Sequence, residues 1–214
     1  FVLYENATII GVSVERSRNT KTVNTQQTIQ LSVNHPNIQI NNPNNEINIV
    51  LLKNNNWDEK ITDLQPRFFK QNQLLYTYTN NTNFWGGNEY LNFDSKFIRN
   101  RSLNILGIDK KEVFHHYSYP FSYNPFKKYG YNPDINGQFV IRTLEAEDEK
   151  TEADYAMMHF SVLVDEPFKD KDVYIYGAFN NFEISEENKM TYYPNKKAYK
   201  GNYLLKQGFY NYTF

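Results

Sequence analysis

Apolar and polar positions alternate along much of this chain, and that alternation is the first guide to its fold. In "TIIGVSVERS", Thr8 to Ser17, the residues Ile10, Val12 and Val14 fall on one side of a period of two. Such a pattern predicts a half-buried β-strand. "TIQLSVNH" repeats it with Ile29, Leu31 and Val33, and "EINIVLLKNNNW" predicts a third strand ending near Lys53 after the turn "NNPNN". Further strands are expected in "QLLYTYTN", "NEYLNFDS", "EVFHHYSYPFSY" and "QFVIRTLEA", with a break at Pro120 and a turn at Trp85-Gly86-Gly87-Asn88. Beyond residue 150, "YAMMHFSVLVDE", "DVYIYGAFN", "MTYYPN", "AYKGNYLLKQG" and "FYNYTF" are five more strand-length pieces. No long stripe of helical period and no fixed internal repeat interrupts this series.

Composition agrees with the pattern. The 214 residues include 18 Tyr and 16 Phe, and aromatic and β-branched side chains favour sheet over helix. The expected fold is all-β, with two β-sandwich domains of immunoglobulin-like type. The acidic stretch "EAEDEKTEADYA", Glu145 to Ala156, has no large apolar residue before Tyr155. A short helix, a hairpin tip and a linker all suit it. A solvated connection near Lys150 is the preferred reading, which sets the domains at 1–148 and 149–214. The chain opens at "FVLYEN" and stops at "YNYTF" inside strand-like sequence, so truncation at both ends is expected.

Charge and chemistry narrow the function classes. A formal net charge of -1 gives no general attraction to nucleic acid or acidic lipid, and Lys127-Lys128 and Lys196-Lys197 are isolated pairs. With no cysteine there is no disulfide frame, thiolate metal site or thiol nucleophile. No apolar run reaches the roughly 20 residues of a membrane-spanning helix. His115 and His116 are neighbours, so a strand turns them to opposite faces; His35 and His159 are far away in sequence. The acidic residues of 145–154 are contiguous, unlike carboxylates that flank a cleft from separate elements. Asp134 to Gly137, "DING", lacks the other ligands of a calcium loop and reads as a turn. These observations predict no enzyme, no catalytic or metal residues and no cofactor.

The segment "YSYPFSYNPFKKYGY", Tyr117 to Tyr131, is dense in aromatics and stiffened by Pro120 and Pro125. Tyr and Phe on such a loop bury large area at low entropic cost, as binding surfaces do. A loop folded over the core of its own domain has the same composition. Both readings stand at this point.

Several stretches together resemble the type IX secretion system plug protein family. They are "ATIIGVSVERS", "NPNNEINIVLLKNNNWD", "LQPRF", "FWGGNEYLNFD", "DINGQFVI", "EADYAMMHF", "VYIYGAFNNF", "ENKMTY" and "LLKQGFYNYTF", in order along most of the chain. "GGNEY" and "LLKQGFYNY" are the most specific. The resemblance implies a periplasmic, non-enzymatic protein without direct membrane insertion. Its implied partner is an outer-membrane β-barrel translocon pore of the SprA or Sov type, which it seals when no substrate is passing. On that reading Tyr119, Phe121, Tyr123 and Phe126 are the candidate partner-binding anchors. "VYIYGAFNNF" also resembles the early strands of starch- and glycogen-binding modules of the E-set type, which implies an E-set-like second domain and, as the alternative function, a carbohydrate-binding module. In those modules a Trp commonly follows the "FN" corner; here Phe182 takes its place. Val173, Ile175, Phe179 and Phe182 are therefore expected to serve the fold.

Overall fold

The structure is a computed structural model that describes residues 7–87, 89–123 and 132–214. Strands make up 44% of it and helices 7%, so the class is all-β, with a sandwich architecture. The chain divides into two compact units, Phe1–Gly87 and Asn88–Phe214.

In the first unit, β1 (Ile9–Arg16) and β2 (Gln26–Asn34) form a long antiparallel pair. β3 (Leu51–Lys53) and β4 (Asn56–Ile61) make a separate hairpin, and a one-turn helix, α1 (Pro43–Glu46), precedes it. Its tip places Asn54 and Asn55 at φ 53° and 61°, the left-handed region that Asn tolerates. β5 (Phe68–Lys70), β6 (Gln73–Thr77) and β7 (Asn83–Trp85) complete the five-stranded sheet, in the order β1-β2-β6-β5 with β7 also on β2. Its core is small: Leu31, Val33, Leu64, Leu74 and Tyr76, flanked by Ile40, Ile47, Ile49, Leu51 and Ile61.

The register explains which part of that sheet is buried. Leu31 lies opposite Tyr76 on β6 and opposite Val12 on β1; Val33 lies opposite Leu74 and Ile10. Paired residues share a face, so Ile10, Val12 and Val14 continue the core face of β2 and β6. The sequence predicts β1 correctly as a strand and wrongly as half-buried: these three residues are 60%, 59% and 59% exposed. Among the described residues, the hairpin and its neighbours cover β2 and β6 but do not reach β1.

The second unit is a two-layer sandwich. One layer uses β9 (Ile105–Lys110), β10 (Phe114–Ser118), β11 (Phe121–Ser122), β13 (Tyr155–Leu163), β14 (Thr191–Tyr193) and β15 (Ala198–Lys206). Its order is β14-β15-β13-β10-β9, with β11 also on β13. The other layer is β12 (Phe139–Ile141), β16 (Gly208–Tyr212) and β8 (Leu91–Asp94), with β16 in the middle. Phe93, Tyr210 and Tyr212 from the small layer meet Met158, Phe160, Val162, Tyr199 and Leu205 from the large one. Phe93 stacks on Tyr210 at 5.1 Å between ring centroids, and Phe160 lies 4.9 Å from Tyr212. Burial pushes the Tyr212 phenol up to about 12.

The acidic stretch does not separate domains. It holds a one-turn helix, α2 (Glu149–Glu152), capped by Asp148. Glu145 accepts from the Ile98 backbone at 2.7 Å and from Gln207 Nε2 at 2.9 Å, and the Asp154 backbone donates to Gln207 Oε1 at 3.0 Å. Strands on both sides of it share sheets, β10 with β13 and β8 with β16. The units divide instead beside Gly86-Gly87, so the expected limits 1–148 and 149–214 do not match them.

Candidate functional site

The aromatic segment starts on β10, which runs parallel to β13 and places Phe114 beside Ala156 and Tyr117 beside His159. β11 resumes alongside the same strand, with Phe121 beside Val162. Between the two pairings the register moves by one residue at Tyr119-Pro120. A slip of one residue turns every following side chain to the other face. Proline lacks the N–H that a continuous ladder would need, so it suits this break.

The slip sorts the expected anchors. Tyr119 is 56% exposed. Phe121 turns inward, half-buried, with its ring 5.8 Å from Phe214 against the core. Tyr123 is 50% exposed; its backbone donates to Leu163 O at 3.3 Å and its ring meets Phe168 edge-on at 5.1 Å. Phe126 lies outside the described residues. Tyr119 and Tyr123 thus present ring surface to solvent, while Phe121 serves packing.

On the outer face of the same sheet the parallel register builds a group that sequence spacing did not reveal. His115 Nδ1 and His159 Nε2 are 2.7 Å apart, one donating and one accepting. His159 is stacked between His115, at 5.0 Å, and Tyr117, at 4.6 Å. Burial first, then the neighbouring His115, Lys111 and Lys200, hold His159 below the ordinary imidazole range, with Asp109 opposing them. Burial and a hydrogen bond to Asp109 raise the Tyr117 phenol. As expected, His116 points the other way: it is buried and donates through Nε2 to Ile98 O at 2.8 Å. The residues 44 positions apart meet only because β10 and β13 are adjacent, which no local pattern encodes. Among the described residues, no group of three or more His, Cys, Asp or Glu is placed to hold a metal ion.

The two turns singled out in the sequence are structural. Asp134 accepts from the backbones of Tyr90 and Asn136, and Asn211 Oδ1 accepts from Ile135 N at 2.6 Å. Gly137 has φ 78°, and a side chain there would meet Tyr90 at 2.8 Å. At the 173–182 corner Val173, Ile175 and Phe182 are buried and Phe179 packs against the core. Asn180 Nδ2 and Asn188 Nδ2 both donate to Ile175 O, at 2.8 and 3.0 Å. Gly177 is required by close approach, since a Cβ would lie 2.8 Å from Asn211 O. Phe182 rests against Tyr176 and Tyr90, so its ring faces are occupied by the protein itself. The strand expected at "DVYIYG" is reduced to isolated bridges, Tyr174 to Lys189 and Tyr176 to Thr213.

No family model matches this chain, and no curated protein matches it. Among solved structures, a hypothetical protein from Parabacteroides merdae ATCC 43184 is similar over 97% of the chain, at 31% identity and a TM-score of 0.85. The chain spans about half of that protein, 52% of its length, and the likeness carries the fold of both units described above.

Proposed function

We propose that this chain is part of a non-enzymatic plug that seals the periplasmic opening of a type IX translocon barrel when no substrate is in transit. The observation that carries the reading is the ordered series of family-like motifs, from "ATIIGVSVERS" to "LLKQGFYNYTF". Two features of the fold support it. A sandwich cored by interlocking aromatic rings is stiff, and a stopper works by occupying space. Tyr119 and Tyr123 expose ring surface near one edge of that sandwich, the side-chain type enriched where proteins meet. The protein acts in the periplasm and reaches the outer membrane through the pore protein.

The test is co-purification of the barrel with this protein from outer-membrane extracts. Tyr119→Ala and Tyr123→Ala should each weaken recovery of the barrel while leaving the thermal midpoint close to that of the parent. Phe121→Ala should lower the midpoint instead. Deleting the gene should raise uptake of small dyes across the outer membrane. Unchanged recovery with both tyrosines removed would eliminate them as anchors, and absence of the barrel from the parent's eluate would eliminate the plug.

A further inference from the structure

β1 is an edge strand of unusual character. Among the described residues it pairs on one side only, with β2, leaving the backbone groups of its other side without a strand. Natural edges are commonly short, charged or broken by proline. The opposite edge, β5, has three residues; β1 has eight, "IIGVSVER", with no proline and charge only at its end. The side chains make the edge more distinctive. Ile10, Val12 and Val14 extend the core face, and Arg16 follows on the same side by the period of two. Arg18 is engaged by Glu15 at 2.8 Å, but among the described residues Arg16 has no ion-pair partner. The strip therefore reads aliphatic, aliphatic, aliphatic, cation.

From this strip we infer that β1 accepts an added antiparallel strand from another polypeptide, one with aliphatic residues at alternate positions and a carboxylate opposite Arg16. Read from its N-terminus, the incoming segment follows the pattern acid-x-Φ-x-Φ-x-Φ, where Φ is Val, Ile or Leu. Main-chain bonds supply affinity in such an addition, and alternate side chains supply specificity. Charge decides against a second copy as the occupant. Two β1 strands paired with their aliphatic residues on one side centre on Val12, which sets Thr8 of one copy against Arg16 of the other and supplies no carboxylate. The inference uses the β1 edge of the first unit, whereas the anchors of the pore reading, Tyr119 and Tyr123, lie in the second, so the two are tested separately.

The experiment uses the 214-residue chain and a labelled synthetic peptide containing Glu-Thr-Val-Thr-Val-Thr-Ile, with a control in which Lys replaces Glu. Fluorescence anisotropy should show saturable binding of the Glu peptide, about tenfold tighter than the Lys peptide at low salt. Arg16→Glu should invert that order. Val12→Lys, at an exposed position, should weaken the Glu peptide at least tenfold with an unchanged circular dichroism spectrum. Hydrogen exchange should slow at β1 amides when the Glu peptide binds. Absence of saturable binding, equal binding of both peptides, or protection confined to other strands would overturn the proposal. So would sedimentation showing a dimer of the free chain that Val12→Lys dissolves.

Discussion

The two units use the same device, alternating apolar residues on strands, and finish it differently. In Asn88–Phe214 the inner faces of two layers meet, and twelve of the described residues form a continuous buried core. In Phe1–Gly87 one sheet meets a hairpin that covers its middle, and the buried apolar cluster has five of the described residues. Val12 and Leu31 show the difference within a single pair: they lie opposite each other on one face, yet Leu31 is buried and Val12 is 59% exposed. Alternation specifies which side of a strand is apolar. Whether that side is buried depends on how far the facing layer extends, which is a tertiary fact.

Breaking the contrast should give its largest effect at Phe160, where rings from both layers meet. Phe160→Ala should cost the second unit about 3–5 kcal/mol in a denaturant titration. Next comes the buried carboxylate of Asp94, which pairs with Arg142 and with Lys96. Asp94→Ala should destabilise by about 2–4 kcal/mol, because it removes the acceptor of both cations and of the Lys96 backbone. A comparison inside the first unit sharpens the point: Leu31→Ala should cost about 2–4 kcal/mol and Val12→Ala under about 0.5 kcal/mol, although the two side chains face each other across one ladder. An equal loss at both positions would mean that β1 is covered in solution.

The smallest expected effect is a dependence on pH. His116 and His159 are both held below the ordinary imidazole value, chiefly by burial. The folded state therefore binds fewer protons than the unfolded one as pH falls below about 6.5, and its stability is present above that value and lost as pH falls through the depressed values. The thermal midpoint of the second unit should drop between pH 7 and pH 5, and His159→Gln should reduce that slope.

Much of this architecture was legible in the sequence, unevenly. β1, β2, β6, β13 and β15 each carry several turns of the period-two pattern, and all are strands. The corner residues Val173, Ile175 and Phe182 are core, as their types suggest. β5 and β7 have three residues each, too few to show a period, whereas β14, equally short, falls within the expected piece "MTYYPN". β9 was missed because "ILGIDK" interrupts its alternation with Gly107. The boundary was misplaced because an acidic run looks solvated from sequence, whereas Glu145 is fastened to Ile98 and Gln207 by contacts distant along the chain. The His115–His159 contact and the inward turn of Phe121 depend on strand order and on one slipped residue, neither of which leaves a local signal.

The central place of β16 in its layer has a consequence for synthesis. Its neighbours are β8, from the beginning of the unit, and β12, so the layer has no middle until the residues around Tyr212 have left the ribosome. A nascent chain therefore carries Phe93 and Phe160 without their roof while the intervening strands are being made. A chain at that stage exposes apolar rings that favour clumping, and the layer closes only once β16 is available.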